Sequence, residues 1–495
     1  MTPVQRSFFF STVERYASLV LMFFSTAILA RLLTPGEFGV YAVVGAVTAV
    51  LSASFSEMGG ANYLIQKPTL SEQDIRTAFT LNLSLSLAFG ALLWLFGGLL
   101  GAWFGVQGVA AGVRVAALGF VISPFSTTLL ALFRRELHFG VISASNLINN
   151  IASVGVSIWL AMVGYSYLSP LWGQFAGVVV QTAFLLRAHK NFRVFRPSAR
   201  GSGEVLRFGL YSFGVAVVNV IYNTAPQLFL ARVLDFAAIG LYSRAVGVTQ
   251  LFDRLVIQAI GPVIMPAILA KKRVGQDLDR IYLDACSLLS VLQWPFLLLM
   301  AFLAEPVITI WLGSTWLPAA PLVRIYCIAS LALFAASLSY PVMVAAGGVR
   351  DALTSSLISL PPSLIIILGA SFMGVEAVTS AALITFPFQA AVAIHFIARR
   401  IRMRFVDLLL ALRKSALVAC CSGVTAASGA AAINFGLLGP GAGIIVSCCL
   451  TGAAWLAALV AVDHPLLTVL RDAATNAKTA AWSSLAVRFA MQRHT

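Results

Sequence analysis

Ala30-Arg-Leu-Leu-Thr-Pro-Gly-Glu-Phe-Gly-Val-Tyr-Ala42 returns 201 positions later as Ala231-Arg-Val-Leu-Asp-Phe-Ala-Ala-Ile-Gly-Leu-Tyr-Ser243, and the two copies align without a gap. Ala30/Ala231, Arg31/Arg232, Leu33/Leu234, Gly39/Gly240 and Tyr41/Tyr242 are identical pairs. Each copy closes an apolar helix with an arginine, makes a short turn and starts a second helix. Either two hairpins in a Leu/Ala-rich chain share end chemistry by chance, or the chain is a duplicated membrane bundle. A long internal period is the signature of the second.

Composition sets the class. Hydrophobic residues make up 60% of the chain and charged residues 10%, and mean hydropathy is +0.92. A soluble domain carries about 25% charged residues. Apolar runs of about 20 residues, enough to cross a bilayer as a helix, recur throughout. Fourteen spans are predicted near 9–31, 39–58, 78–100, 109–132, 141–162, 168–187, 207–230, 240–268, 283–304, 318–341, 353–372, 376–397, 415–436 and 440–462. The third and fourth are parted by the turn from Gly101 to Gly108, the eleventh and twelfth only by Met373, Gly374 and Val375. The expected fold is therefore an all-α integral membrane protein of about 14 transmembrane helices. It consists of two pseudo-symmetric six-helix lobes plus two C-terminal helices outside the duplication. The first span lacks a small-residue cleavage pattern and is expected to stay in place.

The net charge of +15 does not indicate nucleic acid, because the basic residues lie in short loops. There they act as topology signals and contacts to anionic headgroups. With the N-terminus inside, the inner loops collect Lys67, Arg134, Arg135, Arg193, Arg196, Lys271, Lys272, Arg399, Arg400 and their neighbours. The outer ends keep only Arg31, Arg114, Arg232, Arg244 and Arg324. An odd number of spans would break this alternation, so both termini are expected in the cytoplasm. The boundaries read as an N-lobe over 1–187, a basic cytoplasmic linker over 188–206 and a C-lobe over 207–398. A basic loop and the last two spans follow over 399–462, then a tail over 463–495. The tail is moderately amphipathic around Leu466 to Met491; it either lies along the inner surface or is a loose solvated helix.

Polar residues inside the spans are the candidates for function. A charge at mid-bilayer costs about 2.5–3.5 kcal/mol on insertion scales, so it normally faces water or a partner. Ser11, Arg15, Ser18, Met22 and Ser25 fall in one stripe of the first span. The seventh span carries Ser212, Asn219, Tyr222, Asn223 and Pro226 on one side. A shift of 201 places Ser11 on Ser212, Ser18 on Asn219 and Met22 on Asn223, so the polar face is duplicated with the fold. In the eighth span Arg244, Gly247, Arg254 and Gln258 share a face, and Glu57 matches Gln258 in the first copy. Asp253 and Arg254 point about 100° apart on a helix and either satisfy separate neighbours or serve a cargo. Arg31 and Arg232 end helices, where a cation also relieves the dipole.

Several chemistries are not indicated. No Gly-rich phosphate loop with Lys-Ser/Thr is present, so no ATPase engine is expected. No HExxH motif and no cysteine pair at metal spacing occurs. The six cysteines lie in apolar runs and read as small hydrophobes. The five histidines (His138, His189, His395, His464 and His494) are not grouped with carboxylates at catalytic spacing. No metal and no cofactor is expected, and the chain does not read as an enzyme.

Ala30 to Tyr41 resembles the first hairpin of bacterial oligosaccharide flippases, the polysaccharide-transporter branch of the multidrug/oligosaccharidyl-lipid/polysaccharide exporter superfamily. Met58-Gly-Gly-Ala-Asn-Tyr-Leu-Ile-Gln-Lys67, Leu70-Ser-Glu-Gln-Asp74 and Phe79-Thr-Leu-Asn82 continue the likeness over roughly the first 85 residues. The resemblance implies a bacterial inner-membrane protein that moves undecaprenyl-diphosphate-linked oligosaccharide units for exopolysaccharide, capsule or O-antigen (lipopolysaccharide) synthesis. The implied mechanism is alternating access, in contact with a polymerase and chain-length machinery. An anionic diphosphate needs cations, supplied here by Arg15, Arg31, Arg244 and Arg254. Ser18, Asn219, Tyr222, Asn223 and Gln258 suit sugar hydroxyls. Without an ATPase motif, H⁺ or Na⁺ would couple at Glu57 and Asp253, the best-placed carboxylates. Two alternatives are a small-molecule or multidrug antiporter of the same superfamily and a membrane polysaccharide polymerase. The first favours carboxylates and aromatics over the arginines found here; the second needs a long outer loop.

The topology is testable directly. Reporter fusions after Ser202 and after Lys478 are expected to read cytoplasmic, and one after Ser314 periplasmic. A periplasmic readout at Lys478 overturns the even span count.

Overall fold

The computed structural model describes residues 3–471 apart from 59–60, 68, 190, 200–201, 204–219, 221, 223, 258–267, 269–276, 335 and 347. The first lobe's sequence folds into α1 (Pro3–Leu32), α2 (Pro35–Met58), a short α3 (Ala61–Gln66), α4 (Glu72–Phe104), α5 (Gln107–Arg135), α6 (Phe139–Met162) and α7 (Leu168–Ala188). A 3₁₀ turn covers Phe192–Phe195. Later come α8 (Phe236–Thr249), a π-helical turn at Asp253–Ile257, α9 (Leu278–Phe302), α10 (Ala304–Trp311) and a 3₁₀ turn at Ser314–Ala319. Then follow α11 (Ala320–Ser330), 3₁₀ turns at Leu331–Phe334 and Ala336–Leu338, and α12 (Ser339–Ala345). The last four helices are α13 (Val349–Ser371), α14 (Val375–Ile401), α15 (Phe405–Asn434) and α16 (Pro440–Ala461). No strand occurs among the described residues. Eleven helical stretches among them are long and apolar enough to cross a membrane. Their outer faces carry large apolar side chains, such as Leu95, Ile365 and Val424, each at least 70% exposed. Lipid, not water, is the solvent for such a surface.

Two expected elements come out differently. The tenth span, expected as one helix over 318–341, is broken into α11, two 3₁₀ turns and α12. The indole of Trp294 donates to the carbonyl of Leu331 at 2.8 Å, at the point where α11 gives way to the first 3₁₀ turn. The outer segment after the ninth span, expected as a loop, is the helix α10. Most of the seventh span and the end of the eighth lie outside the described residues.

By internal contacts the chain forms two compact units. One holds Met1–Ala245, Trp311–Ala319 and Leu364–Val378; the other holds Val246–Ile310, Ala320–Ser363 and Thr379–Thr495.

In the first unit, local chemistry starts each copy of the repeated hairpin in the same way. Thr34 N–H donates to Glu37 Oε2 at 2.7 Å and Glu37 N–H donates to Thr34 Oγ1 at 3.3 Å, a capping box. Pro35 occupies the first helical position, where its missing N–H costs nothing. In the second copy Asp235 takes the cap and accepts from Ala238 N–H at 2.7 Å. The two helix starts then meet. A Cβ on Gly39 would fall inside the carbonyl of Phe236, and a Cβ on Gly240 inside the carbonyl of Pro35. Pro35 and Phe236 are equivalent in the repeat, as are Gly39 and Gly240. One contact is therefore made twice with roles exchanged, as a two-fold relation requires. Trp316, fully buried in the 3₁₀ turn Ser314–Ala319, seals the place. Its indole donates to the carbonyl of Ala30 at 2.7 Å near the end of α1.

The same unit holds α6 against α7 through Gly173 and Gly177, a small-xxx-small pair. A Cβ on Gly177 would stand 2.8 Å from the carbonyl of Asn149. Within the basic segment after α7, Phe195 docks between Phe79 and Phe125, with ring centroids 5.0 and 5.3 Å away. Ser198 N–H donates to Thr80 Oγ1 at 2.9 Å, so this stretch is attached to α4.

In the second unit, α15 lies along α9 and α16 lies along α15. The tie is His464, which is fully buried. Its Nδ1 accepts from Leu466 N–H at 3.1 Å, so the ring proton sits on Nε2, 3.1 Å from both Ser287 Oγ and Ser415 Oγ. Lys414 caps the same corner through the carbonyl of Asp463. Burial first, and Lys414 second, push the His464 pKa below the usual histidine range.

Two predictions arise from these contacts. Gly39→Leu is expected to cost about 3 kcal/mol or more through overpacking. Gly36→Ala, with nothing within 4 Å of the new methyl, should stay within about 0.5 kcal/mol. Thermal unfolding of purified protein in detergent compares them, and equal melting temperatures would refute the glycine contact. For His464 the folded state favours the neutral ring. Its contribution is present above the unfolded pKa, about 6.5, and is lost as pH falls through the lower folded value. The wild type should lose melting temperature between pH 7 and pH 5 more steeply than His464→Gln.

Candidate functional site

The polar stripe of α1 faces α6. Ser18 Oγ accepts from Asn150 Nδ2 at 2.8 Å and donates to Glu14 Oε1 at 3.2 Å. Arg15 is half-buried on the same helix. Behind Asn150, Gln181 of α7 donates to Asn146 Oδ1 at 3.1 Å and accepts from Asn149 Nδ2 at 3.4 Å. The sequence reading reached Arg15 and Ser18 but passed over Asn146, Asn149, Asn150 and Gln181. A signal existed: three asparagines at i, i+3 and i+4 put carboxamides on one side of an apolar helix.

Arg244 is held by aromatic rings. Its guanidinium carbon sits 3.7 Å from the Phe38 ring centroid and 5.8 Å from that of Trp316. A cation–π contact of this kind stabilises the charge where water is scarce. It ties the second copy of the hairpin to the first. Arg31 is exposed at the end of α1, with Gly313 beside its stem. Tyr222 is half-buried. Asn219, Asn223 and Gln258 lie outside the described residues, as does the side chain of Glu57 on α2.

Asp253 and Arg254 belong to the second unit and are both half-buried. They open the π-helical turn Asp253–Ile257. π turns recur at functional sites. Arg254 N–H still donates to the Gln250 carbonyl at 3.0 Å, so the widening begins at these two residues.

A feature absent from the sequence reading is a cavity of about 210 Å³ in the first unit, bounded by α2, α5 and α7. Thr48, Ser52, Ser123 and Gln174 supply its polar lining, and Phe120 and Phe175 are among the apolar lining residues. Among the described residues no three His, Cys, Asp or Glu side chains gather as a metal site.

The polar side chains are spread along the walls of several helices rather than gathered around one point. The family model described as "Polysaccharide biosynthesis protein" matches residues 28–321, more than half of the chain. The chain belongs to that family. Over 317 residues it is 25% identical to the lipopolysaccharide biosynthesis protein WzxC of Escherichia coli, covering 61% of this chain and 62% of that one. It is 23% identical to the succinoglycan biosynthesis transport protein ExoT of Rhizobium meliloti, over 70% of this chain and 71% of that one. The fold is similar to the lipid II flippase MurJ in an inward closed conformation: TM-score 0.72, 13% identity, 91% of this chain and 97% of that one. This last likeness shows the fold.

Proposed function

We propose that this chain is a flippase that carries oligosaccharide units, linked to undecaprenyl diphosphate, across the bacterial inner membrane by alternating access. The product feeds surface polysaccharide synthesis, and both termini lie in the cytoplasm. Family membership supports the class, together with the likeness to relatives named for polysaccharide biosynthesis and transport and to a lipid II flippase. The observation that carries the mechanism is Arg254, a half-buried cation in the π turn that follows α8. A guanidinium placed there is a natural counter-charge for an anionic cargo. A guanidinium grips a phosphate through two parallel N–H···O bonds, which a lysine ammonium does not do. Arg15, Arg31 and Arg244 add positive potential, although the ring contacts of Arg244 already give it a structural task. Ser18, Tyr222 and the asparagines at 219 and 223 suit sugar hydroxyls.

Energy for the cycle comes from an ion gradient or from removal of product. Asp253, beside Arg254, and Glu57 are the carboxylates that would exchange H⁺ or Na⁺. A polymerase and the chain-length machinery are the partners such a product requires.

Replacing Arg254 tests this reading. Arg254→Lys is expected to lower export about tenfold, the loss of one charge-assisted hydrogen bond. Arg254→Ala should abolish export, and both variants should reach the membrane at normal level. Surface polysaccharide and membrane abundance measured on the same strains decide the matter. Low abundance of Arg254→Ala, rescued by neutralising Asp253 as well, would instead make the arginine a helix-pairing residue. Unchanged surface polysaccharide in a gene deletion, with increased drug sensitivity, would point to the antiporter.

A further inference from the structure

We propose that the cavity between α2, α5 and α7 is the seat of a sugar ring of the cargo, separate from the cations that hold the diphosphate. This rests on the flippase reading above. The cavity lies inside one compact unit, and none of its lining residues is charged. Its volume of about 210 Å³ suits one ring, not a whole repeat unit. Its chemistry is that of a polyol site. Its lining combines two aromatic residues, Phe120 and Phe175, suited to the C–H side of a pyranose, with hydroxyl and carboxamide residues suited to its oxygens.

The hydrogen-bond inventory leaves capacity for a guest. Thr48 Oγ1 donates to the carbonyl of Val44 at 2.9 Å and keeps its acceptor lone pairs. Gln174 Nε2 donates to Tyr41 OH at 2.7 Å, leaving Oε1 and a second N–H. Ser52 makes no hydrogen bond among the described residues and is exposed within α2. A hydroxyl left unpaired inside a membrane helix normally faces water or a ligand.

The repeat explains why this wall is neutral. Shifting by 201 places Thr48 on Thr249 and Ser52 on Asp253, with Arg254 next in sequence. The same helix face thus occurs twice. In the first copy it is neutral and borders an aromatic cavity; in the second it bears a carboxylate and a guanidinium at a π turn. A cargo with an uncharged head and a doubly anionic link would use two such faces differently. The first copy is therefore the sugar face and the second the phosphate face.

The test uses full-length protein in membrane vesicles. Ser52→Cys is modified with a water-soluble maleimide, and the peptide containing residue 52 is followed by mass. Two probes are compared: lipid-linked oligosaccharide purified from a polymerase-deficient strain, and undecaprenyl diphosphate without sugar. At four times its Kd the sugar-bearing probe should slow modification about fivefold, and the bare carrier should leave it unchanged. Equal protection by both, or by neither, overturns the assignment. In cells, Gly119→Trp fills the cavity and should abolish export at normal abundance. Val121→Trp, on an exposed side chain of the same helix, should export normally. Normal export by Gly119→Trp, in a background where gene deletion abolishes it, removes the sugar seat alone. A deletion that leaves surface polysaccharide unchanged removes the flippase reading itself.

Discussion

Two glycines bear the closest approach in the first unit, and much around it depends on them. Gly39 admits the carbonyl of Phe236, and Gly240 admits the carbonyl of Pro35. Because the four residues pair off under the 201-residue shift, the contact is self-complementary, and each copy supplies both the gap and the backbone that fills it. Lipid tails are as apolar as leucine, so membrane helices gain little from burying apolar surface against one another. Close backbone approach and dispersion take over. Helix caps at Thr34 and Asp235 fix where each helix starts, and so place the glycines in register. Trp316 and Arg244 then pack over the crossing through Phe38.

Satisfaction of polar groups is the second constraint. In the bilayer an unpaired donor or acceptor has no water to turn to. Ser18 with Asn150, Gln181 with Asn146, Gln174 with Tyr41 and Trp294 with the Leu331 carbonyl all join one helix to another. The last falls where α11 gives way to a 3₁₀ turn. These cross-links let an apolar chain hold hydrophilic walls without unfolding. His464 does the same service at the membrane edge, where its neutral ring joins α9 to α15.

On the flippase reading proposed above, a cargo with a sugar head and a phosphate link asks one protein to offer two chemistries. Duplication provides two copies of one helix face, and substitution separates them. Ser52 is small and uncharged, while its equivalent under the 201-residue shift is Asp253 beside Arg254. The π turn at Asp253–Ile257 marks the copy that carries charge. The neutral copy borders a cavity with aromatic walls.

The sequence alone determined the class and the duplication, because both rest on one-dimensional quantities. Span length follows from bilayer thickness, and the gapless match of Ala30–Ala42 with Ala231–Ser243 needs no coordinates. It also pointed to Arg15, Ser18 and Arg254, since a polar residue in an apolar run is conspicuous. Only the tertiary structure decided what those residues touch. That Arg244 lies on the ring of Phe38 depends on two segments more than 200 positions apart meeting at glycines. An indole from another helix binds the backbone at the break in the tenth span. The cavity at Ser52 and Gln174 is formed by three helices, each of which, read singly, shows only a scattered hydroxyl or amide. Periodicity tells which face of a helix is polar; packing decides whether that face meets a neighbour, a ring or an open space.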